Sequence, residues 1–160
     1  MRNSLTKREY IEYLLKNYHR ILNDLEQMRI ELEHYEIESV DETIEGMSLN
    51  GAREEGIAFK DDTPRVAMVF RNVNKRINAE NKRRILKQIA AGEIEFKKLR
   101  TAIECLPEET RNVIEDLYIK RLKWDMISMT RYISNNTINR HRKKGIDEIT
   151  RAFFLSEDVA

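Results

Sequence analysis

Apolar residues recur through the first third of the chain at Ile11, Leu14, Tyr18, Ile21, Leu25, Met28, Leu32 and Tyr35. The spacings alternate between three and four without a break. That is the heptad seam of a coiled coil, and it predicts one long packed helix. Thr6 and Glu9 stand at the T-x-x-E spacing of a capping box, so this helix should start near residue 6. The seam needs a partner, either another stretch of this chain or a second copy.

Residues 40–63 break the repeat. Asn50-Gly51 and Gly56 are turn formers, and Asp61-Asp62-Thr63-Pro64 reads as a helix start. So long a connection is uncommon in a compact domain. It reads as a functional or flexible loop, or as one that holds a short element around Met47–Leu49. A second long helix is expected from Pro64 to about Cys105. Its early apolar positions are Val66, Val69, Phe70, Val73 and Ile77; its later ones are Ile85, Ile89, Phe96, Leu99, Ile103 and Leu106. The polar run Asn78–Arg84 separates them, and Gly92 is a weak point.

Leu106-Pro107-Glu108-Glu109-Thr110 opens a third helix, with Pro and two carboxylates suited to its first turn. Val113, Ile114, Leu117 and Tyr118 give it one apolar face. A fourth helix is expected from about Trp124 to Thr130, with Trp124 in the core. The last runs from Ser134, a good N-cap, to about Leu155. Its inner face is Ile138, Ile146, Ile149, Phe153 and Phe154. The pattern as a whole predicts an all-α chain. Residues 1–105 form long N-terminal helices in a coiled-coil-like hairpin, and residues 106–155 form a C-terminal helix-turn-helix domain.

Charged residues are 36% of the chain, with five Gly and two Pro, which favours helix over sheet. The net charge of +1 conceals a polarity. Residues 24–62 hold thirteen Asp/Glu against three Lys/Arg, whereas residues 119–145 hold eight Lys/Arg against Asp125 alone. The acidic first helix is expected to lie antiparallel to the basic second one. The basic end suggests a surface for a polyanion. No run of 18 apolar residues is present, so no membrane span is expected. Arg2, Lys7 and Arg8 precede no apolar segment of a secretory signal. Cys105 is alone, reads as a core residue, and suits a reduced intracellular setting. His19, His34 and His141 are too scattered for a metal site. No catalytic constellation or cofactor motif is present, so an enzyme is not expected.

The most specific chemistry lies in residues 122–145, LKWDMISMTRYISNNTINRHRKKG. They read as a helix, a tight turn and a second helix whose outer face is Asn, Thr, Arg, His and Lys. Such a face can reach base edges and phosphates in a DNA major groove. Asn pairs bidentately with adenine and Arg with guanine. The candidate base readers are Asn135, Asn136, Asn139 and Arg140. The candidate phosphate ligands are Lys123, Arg131, Thr137, His141, Arg142, Lys143 and Lys144, since phosphate contacts position without specifying.

From Leu106 to Ile149 the chain resembles region four of bacterial sigma factors. The features that carry the resemblance are Leu106-Pro107, Trp124-Asp125, Ile133-Ser134 and Thr137-Ile138-Asn139-Arg140. With its long helical N-terminal part, the chain is similar to phage late transcriptional regulators of the ArpU and RinA type. Tyr132 stands where that pattern has Gly, and Arg131 where it has Leu. Either Tyr132 takes a positive φ, at about 1 kcal/mol or more, or the turn has another geometry with Arg131 swung outward.

The resemblance implies a sequence-specific transcriptional regulator in the cytoplasm of a bacterial host. It would bind double-stranded DNA, with RNA polymerase as a further partner; the heptad helix, read from its own spacing, could join a second copy of the chain. Two other readings fit the pattern: the DNA-recognition subunit of a phage packaging terminase, and a coiled-coil interaction protein that binds no DNA.

Overall fold

The computed structural model describes residues 5–49 and 63–157, and the regular elements among them are all helical. Helix α1 spans Lys7–Lys16, α2 Tyr18–Leu49, α3 Thr63–Glu104, α4 Glu108–Ile114, α5 Trp124–Arg131 and α6 Asn135–Phe153. A π-helical turn, Glu115–Ile119, follows α4 directly. No described helix is long and apolar enough to cross a membrane. The chain forms two compact units. One joins the chain up to Asp24 with the chain from Gly92 onward; the other is Leu25–Ala91.

The capping box forms as the spacing predicts. Glu9 N–H donates to Thr6 Oγ1 (3.3 Å), and Thr6 N–H donates to Glu9 Oε2 (2.8 Å). The first helix is interrupted once. Asn17 leaves helical geometry (φ −101°, ψ 16°) and turns its amide to the Tyr13 carbonyl at 2.8 Å. The heptad register survives this break, because Ile21 N–H still reaches Asn17 O at 2.9 Å. Ile11, Leu14, Tyr18 and Leu25 are buried, and Ile21, Met28, Leu32 and Tyr35 are partly covered. Helix α2 also continues through residues 40–49, which the broken repeat assigns to a connection; Ile37, Val40, Ile44 and Met47 keep a three-four spacing there, in a register shifted from that of the seam. The other residues of that connection, 50–62, lie outside the described residues.

The first unit supplies its own partner for the start of the seam. Ile11, Leu14, Leu15 and Tyr18 pack with Leu99, Ala102, Ile103 and Leu106 from the end of α3. Ile114 of α4 and Ile146, Ile149 and Phe153 of α6 complete this cluster. Each such side chain contributes about 1.5–3 kcal/mol by leaving water. Thus α1 and the end of α3, which the sequence groups with the N-terminal region, pack with the C-terminal helices. A smaller cluster of Val113, Ile127 and Ile138, flanked by Leu117, Leu122 and Ile133, ties α4, α5 and α6 together.

Two expected core residues lie outside these clusters. Cys105 is exposed, because it falls off the Leu99–Ala102–Ile103–Leu106 stripe that faces inward. Trp124, the first residue of α5, is 37% exposed, and the aliphatic cluster beneath α5 closes without it. In the second unit Ile85 and Ile89 of α3 are buried, whereas Val69, Val73 and Ile77 are exposed.

Gly145 fixes how closely α6 approaches α4. A Cβ placed there would stand 2.7 Å from Ile114 Cγ1 and 3.1 Å from Thr110 Cγ2. Ile114 and Thr110 are both buried and have little room to move. Gly145→Ala is therefore expected to destabilise the fold by about 1–2 kcal/mol. Overpacking of about 1–3 kcal/mol outweighs the helix-propensity gain of alanine, at most about 1 kcal/mol. Chemical denaturation checks this, and a Gly145→Ala chain as stable as wild type would refute the close packing.

Candidate nucleic-acid interface

Three residues, Tyr132, Ile133 and Ser134, join α5 to α6. The preceding helix closes when Tyr132 adopts the left-handed conformation (φ 55°, ψ 42°) and its N–H donates to Ser128 O. Ile133 N–H donates to the same carbonyl at 3.3 Å, and the Ser128 hydroxyl donates to Ile133 O at 2.6 Å. Of the two turn geometries left open by the sequence, the structure has the positive-φ one, and Arg131 turns inward. An L-residue in this region is disfavoured by roughly 1–2 kcal/mol. Ile133 packs into the small cluster, and Ser134 caps α6 by accepting Thr137 N–H at 3.2 Å.

The inner face of α6 carries Ile138, Gly145, Ile146, Ile149 and Phe153, all buried. Helical spacing then places Asn136, Arg140, Lys143 and Lys144 on the opposite side. All four are exposed, as are Asn135 in the first turn and Lys123 at the N-cap of α5. Asn139 is partly covered. The side chains of Arg140 and Lys143 form no ion pair among the described residues. Lys144 lies 3.9 Å from Glu148 across the helix surface. Asp147, an acidic residue on this outer side, pairs with Arg8 at 2.9 Å, which reduces its charge beside the lysines. Such exposed pairs contribute little to stability.

The other proposed phosphate ligands have partners inside the chain. Arg131 donates through Nε to Asp116 Oδ2, and Lys120 reaches Asp116 Oδ1 at 2.7 Å. Burial pushes the Asp116 carboxyl up, but the hydrogen bonds from Arg131 and Lys120 prevail and hold it below its ordinary value. The Asp116 hydrogen bond in turn raises the Arg131 guanidinium, against the effect of burial. Arg142 donates to the Tyr118 hydroxyl at 3.0 Å and lies 3.7 Å from Glu12. His141 is mostly covered; its Nδ1 is 3.1 Å from Thr110 Oγ1, and its Nε2 is 4.0 Å from Glu109. The Thr137 hydroxyl is 3.0 Å from that of Ser134.

The eleven candidates therefore fall into two sets. Lys123, Asn135, Asn136, Arg140, Lys143 and Lys144 are presented outward. Arg131, His141 and Arg142 hold α5 and α6 against the rest of the first unit, Thr137 is engaged in the N-cap of α6, and Asn139 lies between the two sets. The partners Asp116, Tyr118 and Glu12 are not legible as such from the sequence. The i,i+4 spacing of Asp116 and Lys120 signals a pair, but nothing in the sequence marks the carboxylate as buried. A cleft of about 450 Å³ lies beside this face, lined by Asn112, Thr130, Thr137, Arg140 and His141 among others. No protein-family model, no curated protein and no solved structure matches the chain.

Proposed function

We propose that this chain is a sequence-specific DNA-binding transcriptional regulator of phage type, working in the cytoplasm of a bacterial host. Its C-terminal α5–turn–α6 segment is a helix-turn-helix, and α6 enters the major groove. The observation that carries this reading is the outward stripe of α6. Asn136, Arg140 and Lys143 project from a helix whose opposite face is locked into the core, and neither cation of the stripe is consumed by an internal pair. Amide and guanidinium groups read base edges; Lys123, Lys143 and Lys144 neutralise phosphates. The protein acts by binding and carries out no reaction. The resemblance to sigma region four supports a contact with RNA polymerase as the route to regulation.

In this reading the second unit, Leu25–Ala91, carries self-association. The first positions of the heptad seam are filled by the chain's own α3 and α6. The exposed Val69, Val73 and Ile77 leave apolar surface on α3 for a second copy.

Affinity measured on random and selected duplexes across salt concentrations tests the proposal. Three phosphates neutralised per chain give roughly a 40-fold loss between about 50 and 200 mM salt, since log K falls by about 0.9 per phosphate for each decade of salt. Affinity that stays flat across that range, or no binding at low salt, sinks the proposal and leaves a helical interaction protein.

A further inference from the structure

We propose that Tyr132 contacts DNA directly, its phenol hydroxyl donating to a phosphate at the edge of the groove that receives α6. This rests on the reading of α6 as a duplex reader and adds to it a residue outside the sequence-derived set.

Among the described residues only Arg121 and Tyr132 combine a side chain with a positive φ, at 54° and 55°. Gly or Asn takes such a position readily, whereas a bulky aromatic there is an outlier. The conformation is imposed by the turn, through the hydrogen bonds that Ser128 makes to Tyr132 and Ile133. Packing within the chain does not offset it, because Tyr132 is 93% exposed. The backbone of Tyr132 closes α5, but its side chain makes no hydrogen bond or ring contact among the described residues, and strain of this kind gathers at functional positions.

The surroundings indicate the partner. Tyr132 sits two residues before the N-cap of α6 and three before Asn135, on the segment with eight Lys/Arg against one Asp. Trp124, Met126 and Met129 of α5 are also exposed, but Arg140 and Lys143, which form no ion pair among the described residues, make a polyanion the partner that this segment suits. Tyrosine hydroxyls are among the groups that bond phosphate oxygens, and bonds to an anion are the strong ones. Because the phenol donor is neutral, its contact releases no counterion. Its contribution should thus be insensitive to salt, unlike that of Lys143.

Two variants test the assignment, each measured for duplex affinity across a salt series and for thermal stability. Tyr132→Gly relieves the backbone and should raise Tm by roughly 2–4 °C. It should weaken preferred and random duplexes alike, by about tenfold, with an unchanged salt slope. Tyr132→Phe should show the same loss of affinity with no gain in Tm. Tyr132→Phe binding as wild type does overturns the assignment. So does a loss confined to the preferred site, or a loss of self-association by light scattering with DNA affinity intact. If the wild-type chain binds duplex and both variants equal it, this inference alone fails; if the wild-type chain binds no duplex, the parent reading fails with it.

Discussion

Arg140→Ala is expected to weaken binding to the preferred duplex by about 1–3 kcal/mol, roughly 5- to 150-fold, and to leave random duplex nearly unaffected. Arg140 is exposed, makes no ion pair among the described residues, and stands one helical turn after Asn136. Its planar fork matches the two acceptors on the major-groove edge of guanine. Lys143, three residues on, is a point charge without that geometry. Lys143→Ala should weaken every duplex about equally and reduce the salt slope by about one. Neither side chain packs against the core, so both variants should keep wild-type stability within about 0.5 kcal/mol. The affinity changes can then be read as contact energies. Selection of bound sites from random DNA supplies the preferred duplex, and anisotropy titrations supply the affinities. Equal effects of the two substitutions on specific and random duplexes would refute this division of roles.

The elements were legible where local chemistry is strong. The capping box at Thr6, the N-cap at Ser134 and the inner face of α6 follow from residue types at fixed spacings, and each is present. The heptad seam identified the covered face of the first helices, but not the one-residue break at Asn17 or what fills the seam. Filling is decided by α3 and α6, whose residues from Leu99 onward are far from Ile11–Tyr18 in sequence, and a periodicity holds no record of that. Val69, Val73 and Ile77 show the converse. They form an apolar stripe at helical spacing and yet remain exposed.

The candidate interface was legible as a cluster of cations and amides, and illegible as two sets. Arg131, Arg142 and Arg140 look alike in sequence. The fold shows that Asp116 and Tyr118 face the first two while the third faces outward. Helical phase alone could have placed Arg142 near the inner face, since it is four residues after Ile138 and four before Ile146. Arg131 gave no such signal, because its partner lies 15 residues back on the π-helical turn.

Asp116→Ala is expected to destabilise the chain by about 2–3 kcal/mol at neutral pH. The carboxylate is 2% exposed and accepts from both Arg131 and Lys120. Lys120 is half-exposed and regains water when its partner is lost, so its share is small. Arg131 is more covered, and its guanidinium would be left partly buried without an anion. The same pair produces a pH dependence with a definite sign. Asp116 titrates below its ordinary value of 3.8 in the folded chain. Its stabilisation is therefore fully present above about pH 5 and is lost as pH falls through the lower folded value. Asp116→Asn keeps the shape and removes the titration. Relative to wild type, its stability deficit should be constant above about pH 5 and should shrink below pH 4. Denaturation midpoints of both chains between about pH 2 and 7 check this, and a deficit that does not narrow in acid would refute the ion-pair account. The consequence extends to binding, because Arg131 is the last residue of α5 and directly precedes the turn that aims α6. With its anchor gone, the turn keeps the Ser128 hydrogen bonds and the packing of Ile133 but loses its tie to the π-helical turn. Asp116→Asn should then weaken duplex binding although Asp116 itself touches no DNA.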